Sequence, residues 1–141
     1  MQRHLSLVIT LAIGAAIGVL GAHLSNAQAQ NGPPPGKTLQ RADIAGTGME
    51  AVLVEHDLPG GQASSKHTQS GTEIVYILDG SVIFEAAGKA PKTIKAGETF
   101  TTHAGEVHNV KNASSSATAK ALAFYVAKKG TKDEDLSKPV K

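Results

Sequence analysis

The chain contains no cysteine. No disulfide can therefore staple it and no lipid can be attached at a cysteine, so its stability has to come from a packed core and from whatever that core binds. Tryptophan is absent too, and the aromatic set is three phenylalanines and two tyrosines. Any interior pocket must be lined mainly by aliphatic side chains. Tyr76, Phe84, Phe100, Phe124 and Tyr125 read as core or dimer-interface residues rather than as a stacking platform. An excess of one charge is also missing: 14 basic against 12 acidic residues give a formal charge of +2. The lysines are scattered, only Lys128 and Lys129 are adjacent, and no basic cluster is interleaved with aromatics. This pattern is a solvated surface and excludes an electrostatic case for nucleic acid. Finally, no helical period is visible after residue 30, which leaves strands to build the domain.

A long apolar run occurs only at the start. Arg3 and His4 precede a mostly apolar stretch from Leu5 to Leu24, and Ser25-Asn26-Ala27 or Ala27-Gln28-Ala29 then offers small residues at the sites a signal peptidase reads. Residues 1–29 are expected to be a signal peptide cleaved after Ala29. The alternative is an uncleaved anchor, because the run is just long enough to span a bilayer. Gly14, Gly18, Gly21 and His23 dilute it and favour cleavage. Either way the domain is exported, to the periplasm or the outside, and meets a membrane only through this segment. Cleavage removes Arg3 alone among the charged residues, taking +2 to +1 (2 − 1).

The remainder of the chain reads as one small domain. Residues 30–37, with Pro33-Pro34-Pro35, form a stiff linker. A domain over 38–128 then breaks into short β-rich segments at 49–58, 72–78, 81–86, 91–95, 98–102, 107–112 and 118–127, punctuated by turn residues. Asp79-Gly80 suits a tight hairpin turn. About eight short strands without helices predict an all-β fold, a closed or double-sheet barrel. Residues 129–141 are polar and are expected to form a mobile tail.

Two linked patterns exceed what packing requires. Gly61, His67, Gln69, Glu73 and Gly80 form the first; Gly97, Gly105, His108 and Asn112 form the second. In a strand, residues two apart share a face, so His67 and Gln69 can aim into one cavity, with Glu73 further along and His108 arriving from a later strand. Two imidazoles, an amide and a carboxylate make a mixed nitrogen and oxygen set suited to a divalent transition metal: Fe, Mn, Ni, Co or Zn.

These spacings resemble the two motifs of the cupin superfamily. The first family motif is Gly, five residues, His-x-His, three or four residues, Glu, six residues, Gly; this chain departs only at the second histidine, which is Gln69. The second is Gly, five residues, Pro-x-Gly, two residues, His, three residues, Asn; the departure is His103 in place of proline. The resemblance implies a single-domain double-stranded β-helix, or jelly-roll barrel, with a metal held by His67, Gln69, Glu73 and His108. It also implies a homodimer paired through an outer sheet. Function is less constrained, because cupins include dioxygenases, isomerases, decarboxylases and binding proteins.

Among the site residues, Gln69 is the decisive departure. It ligates directly, holds a metal-bound water, or simply fills the position with weaker affinity. If it steps out, His67, Glu73 and His108 form two histidines and a carboxylate. Glu73 is the candidate catalytic group, able to move a proton. His103 is read first as facing solvent, with an acid or base at the pocket mouth as the alternative; His56 is read as a surface or supporting residue, and Asn112 as the support of its turn. The expected function is a metal-dependent reaction on a small molecule, dioxygenase-like or isomerase-like; the alternative is a non-catalytic module binding a sugar or organic acid.

Overall fold

The computed structural model describes residues 36–140, so the signal-peptide expectation and nearly all of the linker lie outside the described residues. Ten strands are present: β1 (Gly36–Ile44), β2 (Met49–Leu58), β3 (His67–Gln69), β4 (Thr72–Asp79), β5 (Ser81–Ala86), β6 (Lys92–Lys95), β7 (Thr99–Thr102), β8 (His108–Asn112), β9 (Ala119–Lys128) and β10 (Ser137–Pro139), with one helical turn, α1 (Asp133–Leu136). They form two five-stranded antiparallel sheets, ordered β1-β2-β9-β4-β7 and β10-β3-β8-β5-β6. The expected all-β double-sheet domain is what the chain adopts.

Strict alternation fixes which side chains face inward. In β4, Glu73, Val75 and Ile77 are buried while Thr72, Ile74, Tyr76 and Leu78 are exposed. In β2 the inward set is Glu50, Val52, Val54 and Leu58, and in β9 it includes Ala119, Ala123, Tyr125 and Ala127. Apart from Glu50 and Glu73, these residues form one cluster with Val82 and Ile94 of the facing sheet, and Phe84, Phe100 and Val110 pack against it. The three alanines keep the β9 wall thin, which leaves room beside Tyr125 for a cavity.

Two glycines hold the site-bearing strand in place. Gly80 joins β4 to β5 at φ 74°, a conformation that costs a side chain strain, and its N–H donates to Asp79 Oδ1 at 2.8 Å. Gly71 precedes β4 where a Cβ would lie 2.0 Å from the Val126 carbonyl oxygen, so the backbone passes β9 with no space for a methyl group.

Both ends of the domain differ from the sequence expectation. The chain is already extended at Gly36, and β1 pairs with β2 along its length. The polar stretch read as a mobile tail instead folds back: Leu136 is buried, β10 pairs with β3, and Arg41 bridges Glu50 at 2.6 Å and Asp133. One apolar residue and a three-residue strand pairing are enough to dock it, a signal too short to register as periodicity.

Candidate functional site

The candidate residues come from both sheets. His67 of β3 lies directly opposite His108 of β8, with ring centroids 4.3 Å apart. Gln69, two residues along β3, shares the inward face and is paired in register with Ser137 of β10. From the other sheet, Glu73 of β4 sits between Thr102 of β7 and Tyr125 of β9. All four expected ligands line one pocket, together with Tyr125, Ser137 and an aliphatic floor that includes Val75, Ile77 and Val82. Each of the four is at most 5% exposed.

The two histidines are held by the same device. His67 Nδ1 lies 2.9 Å from the Ser65 carbonyl and His108 Nδ1 lies 3.0 Å from the Glu106 carbonyl, in each case the carbonyl two residues earlier. A carbonyl only accepts, so both Nδ1 atoms carry a proton, and in the neutral ring the unshared pair then falls on Nε2. Burial, the largest influence, holds His67 down at about 4, and the neighbouring His108 and His56 rings push the same way against the Ser65 carbonyl. His67 is therefore neutral at physiological pH, as a metal ligand must be.

Gln69 and Glu73 are arranged differently from the expectation. Gln69 Nε2 donates to Glu73 Oε2 at 3.0 Å and faces His108 Nε2 at 3.5 Å, while its Oε1 accepts the Ser137 hydroxyl. Thr102 Oγ1 also donates to Glu73 Oε2 at 3.0 Å. Turning the amide over would set its oxygen against the carboxylate, so Glu73 fixes the nitrogen on its own side, toward His108. Nitrogen of an amide is not a metal donor. Among the described residues no group of three or more His, Asp and Glu is gathered to hold an ion. The imidazole pair fits a divalent transition metal; the carboxylate and amide, engaged with one another, do not complete a four-donor set in this arrangement.

Several residues that sequence reasoning did not single out for the site belong to it. Thr102 is fully buried on Glu73, and Tyr125, read only as core or interface, borders the same carboxylate; burial first, and then Glu73, push its phenol well above the usual range. Ser137 lay in the supposed tail. His56 lines the pocket, with its Nε2 3.4 Å from Tyr125 Oη, whereas His103 is exposed at its turn. Asn112 does support its turn, donating from Nδ2 to the Leu58 and Ala117 carbonyls at 2.7 and 2.8 Å.

The cupin domain model matches residues 53–125, just over half of the chain. The chain belongs to the cupin superfamily. An uncharacterized conserved protein with a double-stranded β-helix domain from Klebsiella pneumoniae is 17% identical, with a TM-score of 0.56 over 75% of this chain and 86% of its own. A cupin-like protein from Thermotoga maritima gives 16% identity and a TM-score of 0.56 over 74% of each chain. An RmlC-like cupin from Methanocaldococcus jannaschii gives 14% and 0.52 over 65% of this chain and 82% of its own. At these identities the likeness establishes the double-stranded β-helix of this cupin and nothing of its chemistry. No curated protein matches the chain.

Proposed function

We propose that this cupin is an exported small-molecule protein whose pocket holds a divalent transition metal (Fe, Mn, Ni, Co or Zn) through His67 and His108. The observation that carries the reading is the pair of Nδ1 contacts to the Ser65 and Glu106 carbonyls, which orients two imidazoles side by side at one buried corner. Such supporting contacts fix the ring orientation and raise the basicity of a ligating histidine. A bound metal would supply Lewis acidity and open positions for ligand oxygen atoms. Glu73, one amide away, serves as third donor when Gln69 turns aside, or remains as the group that takes a proton from the ligand. Thr102 and Gln69 hold the carboxylate oriented for either role. The apolar floor receives the carbon skeleton, so the ligand class is a small organic molecule with an oxygen-bearing end, processed in a dioxygenase-like or isomerase-like reaction.

The amide nitrogen at Gln69 favours a second reading, a non-catalytic binding module for a sugar or organic acid, with Gln69 as a hydrogen-bond donor. Metal analysis after purification without added metal tests the site, and turnover then separates the two readings. His67→Ala and His108→Ala should each weaken cobalt(II) binding by more than the roughly 10- to 100-fold that loss of a supporting partner costs. Gln69→His, which restores an imidazole, should tighten it. Unchanged metal content in both alanine variants would overturn the metal site; metal retained without turnover or O₂ uptake across phenolic, enediol and thiol candidates would favour the binding module.

The homodimer belongs to the same proposal. On the outer face of the first sheet, Leu53, Phe124 and Ile74 lie side by side across β2, β9 and β4, with Leu122 beside Tyr76 in the next row. Ile74, Tyr76, Leu78 and Phe124 are each more than 40% exposed. Glu55, Asp57 and Lys120 at the rim supply both signs of charge, which a second copy related by a two-fold axis can complement.

A further inference from the structure

We propose that residues 131–140 form an openable wall of the pocket, closed by a latch between Asp133 and the β1 residues Thr38 and Arg41. The proposal rests on the reading of the pocket as a small-molecule site.

The free space inside the pocket is about 50 Å³, enough for a few waters and too little for an organic molecule of more than a handful of atoms. A larger ligand therefore needs a wall that gives. Most of the pocket is bounded by long ladders, such as the ten residue pairs joining β2 to β9, which resist opening. The strap contributes only three pairs between β10 and β3, at the edge of its sheet, and a four-residue helix that lacks a side-chain cap. It is further tied by the Ser70 N–H to the Leu136 carbonyl and the Val140 N–H to the Lys66 carbonyl, both 2.9 Å, by the Ser137 hydroxyl on the Gln69 amide oxygen, by Thr131 on the Lys128 carbonyl, and by the Leu136 side chain.

Outside the pocket runs a second groove of about 70 Å³, lined by Thr38, Asp133 and Leu136 and sharing His56, Tyr125 and Ser137 with the pocket itself. Those three shared side chains are the partition between the two spaces. Lifting the strap withdraws Ser137 and Leu136, joins groove to pocket, and releases the Gln69 oxygen that Ser137 now holds. The latch sits on the outside: Thr38 Oγ1 donates to Asp133 Oδ2 at 2.9 Å and Arg41 pairs with Asp133, whose side chain is 63% exposed.

The full chain contains no cysteine, so a Thr38→Cys, Asp133→Cys double variant oxidised with diamide can form one disulfide and lock the strap. Diethylpyrocarbonate labelling of His67 and His108, followed by mass spectrometry, reads access to the pocket, with exposed His103 as the internal reference. Labelling should slow in the locked protein, recover on reduction, and rise about two- to fivefold in Asp133→Ala, the range expected for losing an exposed pair. Cobalt(II) uptake should follow the same order. Should the disulfide not form, Asp133→Ala decides alone: His67 and His108 labelling at the unmodified protein's rate overturns the strap as a gate. Absence of cobalt(II) binding in the unmodified protein, with labelling still governed by the latch, would remove the metal reading and leave the gate standing.

Discussion

His67 shows how one buried imidazole links the site to stability. Its folded value of about 4 lies below the ordinary 6.5, so between these values the unfolded chain binds more protons than the folded one. The stability that His67 contributes is fully present above pH 6.5 and drains away as pH falls toward 4. For a side chain this buried the whole shift is worth about 3 kcal/mol. Urea melts of metal-free protein should lose stability across that window, and His67→Asn should flatten the slope; parallel pH profiles for the two proteins would refute the assignment. The pair of histidines and Glu73 were legible in the sequence because motif spacing fixes them along the chain. Thr102, Tyr125 and Ser137 were not, because what brings them to Glu73 and Gln69 is register between strands distant in sequence. Gln69 was legible as a departure from the family pattern, while the direction of its amide depended on the Glu73 carboxylate, which faces it from the other sheet.

At the scale of elements, β2 at residues 49–58 and the Asp79-Gly80 hairpin followed directly from alternation and turn chemistry. β1 and β10 escaped because neither alternates: β1 is exposed along most of its length and β10 has only Ser137 buried. The entry to β4 is equally sensitive to a single atom. A methyl group at Gly71 meets the Val126 carbonyl at 2.0 Å, and since both partners are backbone the strain cannot be relieved by a rotamer change. Gly71→Ala should cost about 1–3 kcal/mol, as overpacking usually does, and should displace Glu73 at the start of β4. Thermal unfolding together with cobalt(II) affinity checks this; loss of stability with unchanged affinity would show that β4 keeps its place.

For the whole molecule, the exposed row of Leu53, Phe124 and Ile74 bears on assembly. Phe124→Glu places a carboxylate in the middle of the proposed contact and should convert a dimer to a monomer in sedimentation velocity without altering the pocket, which faces the other way. A monomeric unmodified protein at tens of micromolar would dispose of the dimer. The outer face was partly legible, since Tyr76 and Phe124 were counted among core or interface residues, yet periodicity alone could not say which of the five aromatics point outward.

The polar corner has imidazoles from one sheet and a carboxylate from the other, so it exists only once the two layers have closed on each other. Any occupant that touches both sides acts as a rivet between them, and its binding energy becomes resistance to unfolding. With no covalent cross-link to fall back on, survival of this barrel in a harsh setting would then track the supply of whatever fills that corner.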